Sequence, residues 1–288
     1  MSKCLGCGVE TSKNYCERCF KIKNYGINVH REDKDYSIKT ADGIKVLVLN
    51  ALFLPKEISI KENVLVIVNK RDLIPDISDQ RIIDYVADYD INPIDIIVIS
   101  ALKNYNMDYL YDSLKEFNNQ KLYFIGDTKS GKTAIINKLL YDYKNVKNTA
   151  ISLEIPNITS DVMEYKFGKN TIIDTPSKQD DSILSKLDTK KIKEITPVRI
   201  KQTIYQKNNT IFNISDIISA VCTEPIFFYF NQDVLITRSK EIIDGFKYTF
   251  DLKPDEDLVI ENMGYIHTNG KIEIITYENI NIYSRKTI

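Results

Sequence analysis

From position 44 onward, apolar residues gather in short runs at 44–49, 64–68, 94–99, 122–125 and 171–173. Between them, stretches 78–89, 107–117 and 131–143 space their apolar positions at helical intervals. Strand-like runs alternating with helices predict a parallel sheet covered by helices, an α/β domain. Asp76 or Ser78 can cap the first helix and Asn106 the second. Residues 162–167 and 171–173 predict a hairpin around Gly168-Lys169-Asn170. Farther on the pattern changes. Runs at 226–230, 234–237, 248–250, 258–261 and 271–276, with a turn signal at Asn269-Gly270, predict an antiparallel β-rich domain.

A chain of 288 residues has room for two domains, and an apolar content of 43% suffices for cores. The formal charge of −1 carries no chain-wide bias toward nucleic acid. No apolar run approaches the ~18 residues of a membrane span, and the polar, cysteine-bearing start does not resemble a secretory signal. The expectation is a cytoplasmic protein with no membrane partner. The charge pattern divides the chain into 1–31, a polar linker at 32–43, an α/β domain at 44–188 and a β-rich domain at 189–288. Residues 186–207, rich in Lys and Arg, read as a basic connector.

Cys4-x-x-Cys7 and Cys16-x-x-Cys19 form a pair of short-spaced knuckles, close enough to close over one ion. A four-thiolate tetrahedral site suits structural Zn²⁺ and would fold a segment too short to bury a core. Redox chemistry is the competing reading of each CxxC pair. Lys3, Lys13, Arg18, Lys21, Lys23 and Arg31 outnumber Glu10 and Glu17, and Tyr15, Phe20 and Tyr25 lie among them. That mixture fits an RNA-contacting ribbon or a protein-docking knuckle. Cys222 reads as a small core residue, and neither His30 nor His267 has a constellation around it. The Tyr and Phe residues of the β-rich part could stack on RNA bases or pack within the sheet.

Gly126-Asp127-Thr128-Lys129-Ser130-Gly131-Lys132-Thr133 follows a strand-like run and opens a helix, the context a P-loop requires. In such a loop the backbone around Gly126, Ser130 and Gly131 curls about a phosphate and the helix start adds partial positive charge. Lys132 would reach the β and γ phosphates and the Thr133 hydroxyl would ligate Mg²⁺. The loop lies well inside the chain, not at the start of a domain. Ahead of it, the run at 64–68 leads into Asn69-Lys70-Arg71-Asp72, and that at 94–99 into Ser100-Ala101. Asn-Lys-x-Asp at a strand end reads guanine. The Asp72 carboxylate accepts two hydrogen bonds that adenine cannot supply, Asn69 ties the loop, Lys70 lies over the base and the Ala101 N–H meets guanine O6. After the P-loop, Thr159 is the candidate switch threonine, with Ser160 and Thr149 as rivals and an ordinary polar loop as the alternative. Asp174, ending a strand run at Asp174-Thr175-Pro176-Ser177, is placed to hold Mg²⁺ through water.

The order of these elements, guanine reader, Ser-Ala turn, P-loop, switch threonine and Asp-Thr-Pro, is a circular permutation of the usual GTPase order. With the leading cysteine knuckle, residues 1 to about 180 resemble the YqeH family of circularly permuted GTPases, which act in assembly of the small ribosomal subunit. The resemblance implies a permuted P-loop GTPase fold that binds GTP/GDP, Mg²⁺ and Zn²⁺. It implies Lys132, Thr159 and Asp174 as catalytic residues, and a monomer that meets rRNA or a ribosomal protein of the small subunit or its precursor. The alternative is a nucleotide-binding assembly scaffold that hardly turns over. Three positions depart from the family: Ser177 replaces a glycine, Lys178 an apolar residue, and Lys129 an asparagine that helps hold potassium. The Lys129 ammonium could take the place of that ion. With no Gln placed to orient water, hydrolysis is expected to be slow without a partner.

Overall fold

The computed structural model describes residues 2–25, 42–144, 162–177, 187–206 and 210–288. The chain divides into two compact units, Met1–Asp180 and Asp181–Ile288. This division falls earlier than the 188/189 boundary of the sequence reading.

The first unit opens with two short paired strands, β1 (Ser2–Lys3) and β2 (Glu10–Thr11), and a helix, α1 (Glu17–Tyr25). Its main body comprises β3 (Ile44–Asn50), β4 (Ser59–Asn69), α2 (Asp79–Ala87), β5 (Asp90–Val98) and α3 (Met107–Glu116), followed by β6 (Lys121–Ile125), α4 (Lys132–Lys144), β7 (Met163–Phe167) and β8 (Asn170–Asp174). The six strands lie in the order β5-β4-β3-β6-β8-β7, all pairs parallel except the β7–β8 hairpin. Strands buried on both faces must be apolar throughout, and the runs Val46–Leu49 and Val64–Val68 are buried along their length. One face packs Val46, Val48, Leu65, Ile67, Leu122 and Phe124 with Met107, Leu110 and Leu114 of α3 and Ile135, Ile136 and Leu139 of α4. Pro93, which has no N–H for a ladder, falls on the edge strand β5 beside a register shift.

Of the two possible caps for α2, Ser78 is the one used, its hydroxyl accepting from Arg81 N at 3.3 Å. Asn106 precedes α3 but does not cap it with its side chain. Its backbone is left-handed (φ 54) and its amide donates instead to Val98 O at 2.9 Å, tying the helix start to β5.

The second unit starts with α5 (Thr189–Ile195) and continues through β9 (Ile200–Tyr205), β10 (Thr210–Ile214), β11 (Ile218–Cys222), β12 (Ile226–Asn231) and β13 (Ile236–Ser239). It ends with β14 (Phe246–Leu252), β15 (Glu256–Ile260), β16 (Gly264–Thr268), β17 (Gly270–Thr276) and β18 (Ile282–Lys286). Two five-stranded antiparallel sheets, β13-β10-β11-β17-β14 and β18-β15-β16-β12-β9, share one core. The supposed basic connector is therefore structured, with Ile192 and Ile195 of α5 in that core while the lysines stay outside. Cys222 is a core residue as read from the sequence. Phe228 and Phe230 are core packing, whereas Phe227 and Tyr229 alternate onto the opposite face, where Tyr229 stacks on Tyr265 at 4.4 Å. His267 does have a neighbour: its Nδ1 lies 2.9 Å from Oδ1 of the buried Asp257, across the β15–β16 rung.

Among the described residues, no helix is long and apolar enough to cross a membrane.

Candidate functional site

Parallel strands expose their carboxyl ends along one edge, so loops far apart in sequence meet there. β4 ends on Asn69 and the loop after it holds Lys70, Arg71 and Asp72, that after β5 holds Ser100 and Ala101, that after β6 is 126–131, and β8 ends on Asp174. Asn69 is buried and joins three of these loops. Its Oδ1 accepts from Ala101 N at 3.1 Å and its Nδ2 donates to Ser130 O at 3.0 Å, partners 32 and 61 residues away in the chain. This bridge needs the glycine that follows Ser130. A Cβ on Gly131, where φ is +97, would stand 2.3 Å from Asn69 Nδ2. Gly126 is constrained in the same way, since a Cβ there would meet Val48 O at 2.3 Å with φ at +143.

Lys70 turns the chain in a left-handed conformation (φ 64), after which Arg71 N bonds Ile99 O at 3.1 Å. Asp72 accepts from Ser100 Oγ at 2.5 Å, and the same hydroxyl receives Lys103 N at 3.0 Å. A carboxylate has acceptor capacity beyond this one bond, which leaves Asp72 able to receive a paired donor such as a purine edge.

In the glycine-bounded loop, Lys129 also has a positive φ of 66, and its ammonium nitrogen is shielded from solvent. Ser130 Oγ closes the turn on Asp127 O at 2.8 Å. Lys132 begins α4 and is only 5% exposed; burial lowers its pKa to about 8, against the opposing pull of Asp174 and Asp127. Its ammonium donates to Gly126 O at 2.7 Å, Asp127 O at 3.2 Å and Ser177 Oγ at 2.7 Å. Thr133 Oγ1 donates to Asp174 Oδ2 at 2.8 Å, and Asp174 is fully buried. A hydroxyl and a carboxylate in contact are the hard oxygen donors that Mg²⁺ prefers. Thr159, its rivals Thr149 and Ser160, and Lys178 lie outside the described residues.

Two residues that the sequence reading passed over brace this edge. Asp79, in the first turn of α2, receives Arg71 Nε at 2.5 Å on one carboxylate oxygen and Tyr105 OH at 2.6 Å on the other. Tyr105 in turn pairs with Ser100 through reciprocal backbone bonds of 3.0 and 3.1 Å. Asp79 thus fixes the loops after β4 and β5 from behind. The available signal was a carboxylate in a first helical turn, which ordinarily reads as a dipole partner. Thr175 is similar, its hydroxyl anchoring the segment after β8 to Phe124 O at 2.7 Å.

At the amino end, Cys4, Cys7, Cys16 and Cys19 bring their sulfurs within 4.8 Å of one another, and all are free thiols. A tetrahedron with Zn–S bonds of about 2.3 Å has edges of about 3.8 Å. The Cys7–Cys16 separation of 3.7 Å matches that edge. Backbone N–H groups of Gly6 and Cys16 point at Cys4 Sγ (3.4 and 3.2 Å) and that of Cys19 at Cys16 Sγ (3.5 Å), as suits thiolate sulfur. The Cys19 thiol donating to Cys7 holds the Cys7 thiol down to about 5, and the same bond together with burial pushes Cys19 up. So crowded a set cannot ionise together without a cation at its centre, and the donor set fits zinc. Within the first unit, Lys3 Nζ donates to Val162 O at 3.0 Å, just ahead of β7.

No family model matches the chain. It is similar to "Uncharacterized protein YqeH" of Bacillus subtilis (strain 168), with 24% identity over an alignment 287 positions long that covers 82% of this chain and 77% of the relative.

Proposed function

We propose that this protein binds and hydrolyses GTP, on a P-loop GTPase fold in circularly permuted order, during assembly of the small ribosomal subunit. The observation that carries this reading is the Asn69 bridge, because it ties the loop bearing Asp72, the loop bearing Ala101 and the phosphate loop into one continuous rim. The strand order β5-β4-β3-β6-β8-β7 supports it. The strands of the base-reading loops precede the phosphate-loop strand in the chain yet run parallel in the same sheet, with β3 between β4 and β6.

In this reading Asp72 and the Ala101 N–H select guanine, and the 126–131 backbone with Lys132 holds the phosphates. A Mg²⁺ held by Thr133 and Asp174 supplies neutralisation of phosphate charge. Lys132 adds a buried positive charge to the same end. The basic knuckle, with Phe20 48% and Tyr25 67% exposed, offers a surface for rRNA or a ribosomal protein.

Competition of GTP, ATP and XTP for the full chain tests the base assignment. Wild type should prefer GTP by at least about a hundredfold over ATP, and Asp72→Asn should move preference toward XTP. Unchanged GTP affinity in that variant removes Asp72 from the site. Co-sedimentation with small ribosomal subunits under GDP or a non-hydrolysable GTP analogue tests the partner.

A second reading, a scaffold that binds nucleotide and hardly turns it over, is favoured by Ser177 occupying the Lys132 ammonium. Phosphate release measured with and without small subunits separates the two. Release that stays at background in both conditions supports the scaffold.

A further inference from the structure

The Lys132 ammonium has three protons, and all three are taken. Two acceptors are carbonyls of its own loop, Gly126 O and Asp127 O. The third is the Ser177 hydroxyl, 45 residues along the chain and at the far end of the segment that begins with Asp174. Of the loop's pair, Asp127 O is the longer contact at 3.2 Å, against 2.7 Å for Gly126 O. The segment carrying Ser177 is held close by, since Thr175 Oγ1 is bonded to Phe124 O and Asp174 to Thr133 Oγ1. Ser177 therefore does not reach Lys132 by chance swing of a long side chain. A short, well-anchored hydroxyl stands where the lysine tip meets the outer phosphates of a bound nucleotide.

We propose that Ser177 is a specificity-determining residue that weighs nucleoside diphosphate against triphosphate by holding the Lys132 ammonium; this rests on the nucleotide-binding reading above. A diphosphate asks Lys132 for one proton, and the weak Asp127 bond is the one surrendered. A triphosphate asks for a second, and the partner that gives way is Ser177. The bond is kept in the free and diphosphate forms and broken in the triphosphate form, so it acts only on the difference between the two ligands.

The test is titration of fluorescently labelled GDP and a labelled non-hydrolysable GTP analogue, with Mg²⁺, into the full chain as wild type, Ser177→Ala, Ser177→Cys and Ser177→Thr. Removing one charge-assisted hydrogen bond should tighten analogue binding about tenfold in Ser177→Ala while GDP affinity stays within about twofold. Ser177→Cys, near in size but a poor acceptor, should follow Ser177→Ala, and Ser177→Thr should keep the wild-type ratio. If both affinities move together, or the analogue is unaffected in Ser177→Ala and Ser177→Cys, Ser177 has no such role while the nucleotide site stands. If wild type binds neither nucleotide, the GTPase reading itself falls and takes this inference with it.

Discussion

The cysteine knuckle buries Cys4, Cys7, Cys19 and Ile22, whereas the parallel sheet buries nearly every residue of its central strands. Yet the candidate functional edge of that sheet is not held by its apolar interior. Its loops are joined by Asn69, Asp72, Asp79 and Ser100 through hydrogen bonds of 2.5 to 3.1 Å. In the knuckle the groups that would take up the ligand are also the groups that make the fold. In the sheet those tasks are separate, because strands supply stability and a few polar side chains supply position. A site of the first kind stands or falls with its ligand; one of the second kind can be loosened while the body stays folded.

That contrast can be broken in graded ways. The largest effect should come from stripping zinc with a strong chelator or from Cys7→Ser, because structural zinc sites of this type are worth ~10 kcal/mol or more of local folding free energy. Zinc content should vanish and limited proteolysis should open the amino end, while guanine-nucleotide affinity remains within a few-fold. Loss of nucleotide binding together with zinc would show that the two regions are one device. Next, Asn69→Ala leaves Ala101 N and Ser130 O without their partner and should weaken nucleotide binding by about 3 kcal/mol, roughly a hundredfold, at unchanged zinc content. Titration calorimetry beside metal analysis reads both numbers. The smallest effect is expected from Asp79→Asn, which keeps the shape but weakens the hold on Arg71 and Tyr105. About 1 kcal/mol, or fivefold in affinity, is the scale for such a partly exposed pair. An equal loss from Tyr105→Phe would assign the effect to the β5 loop rather than to Arg71.

Much of the scaffold was legible because buried parallel strands are written as unbroken apolar runs, as in β3, β4 and β6. The glycine-bounded loop at 126–131 stands out in the sequence because its pattern is local, a fixed spacing of glycines, lysine and threonine. What stayed hidden is non-local or carried by unusual turns. Asp79 and Tyr105 stand 26 residues apart, and no window of sequence shows that they touch. β10 and β11 escaped notice because their turn places Ser215 (φ 50) and Asp216 (φ 55) in the left-handed region without the glycine that usually announces it. α5 was concealed by its lysines, which point outward from buried isoleucines at 192 and 195. His267 had no sequence neighbour to pair with, and met Asp257 only through strand register.

The Asn69 bridge also has a kinetic consequence. Its partners are 32 and 61 positions downstream, so as the polypeptide is made, the loops after β4 and β5 emerge first and wait without their third member. Loop closure over that span must precede any gain from the bond. The rim therefore cannot close before residue 130 has been made, and a chain that stops short of it has no finished cradle in which to trap a ligand.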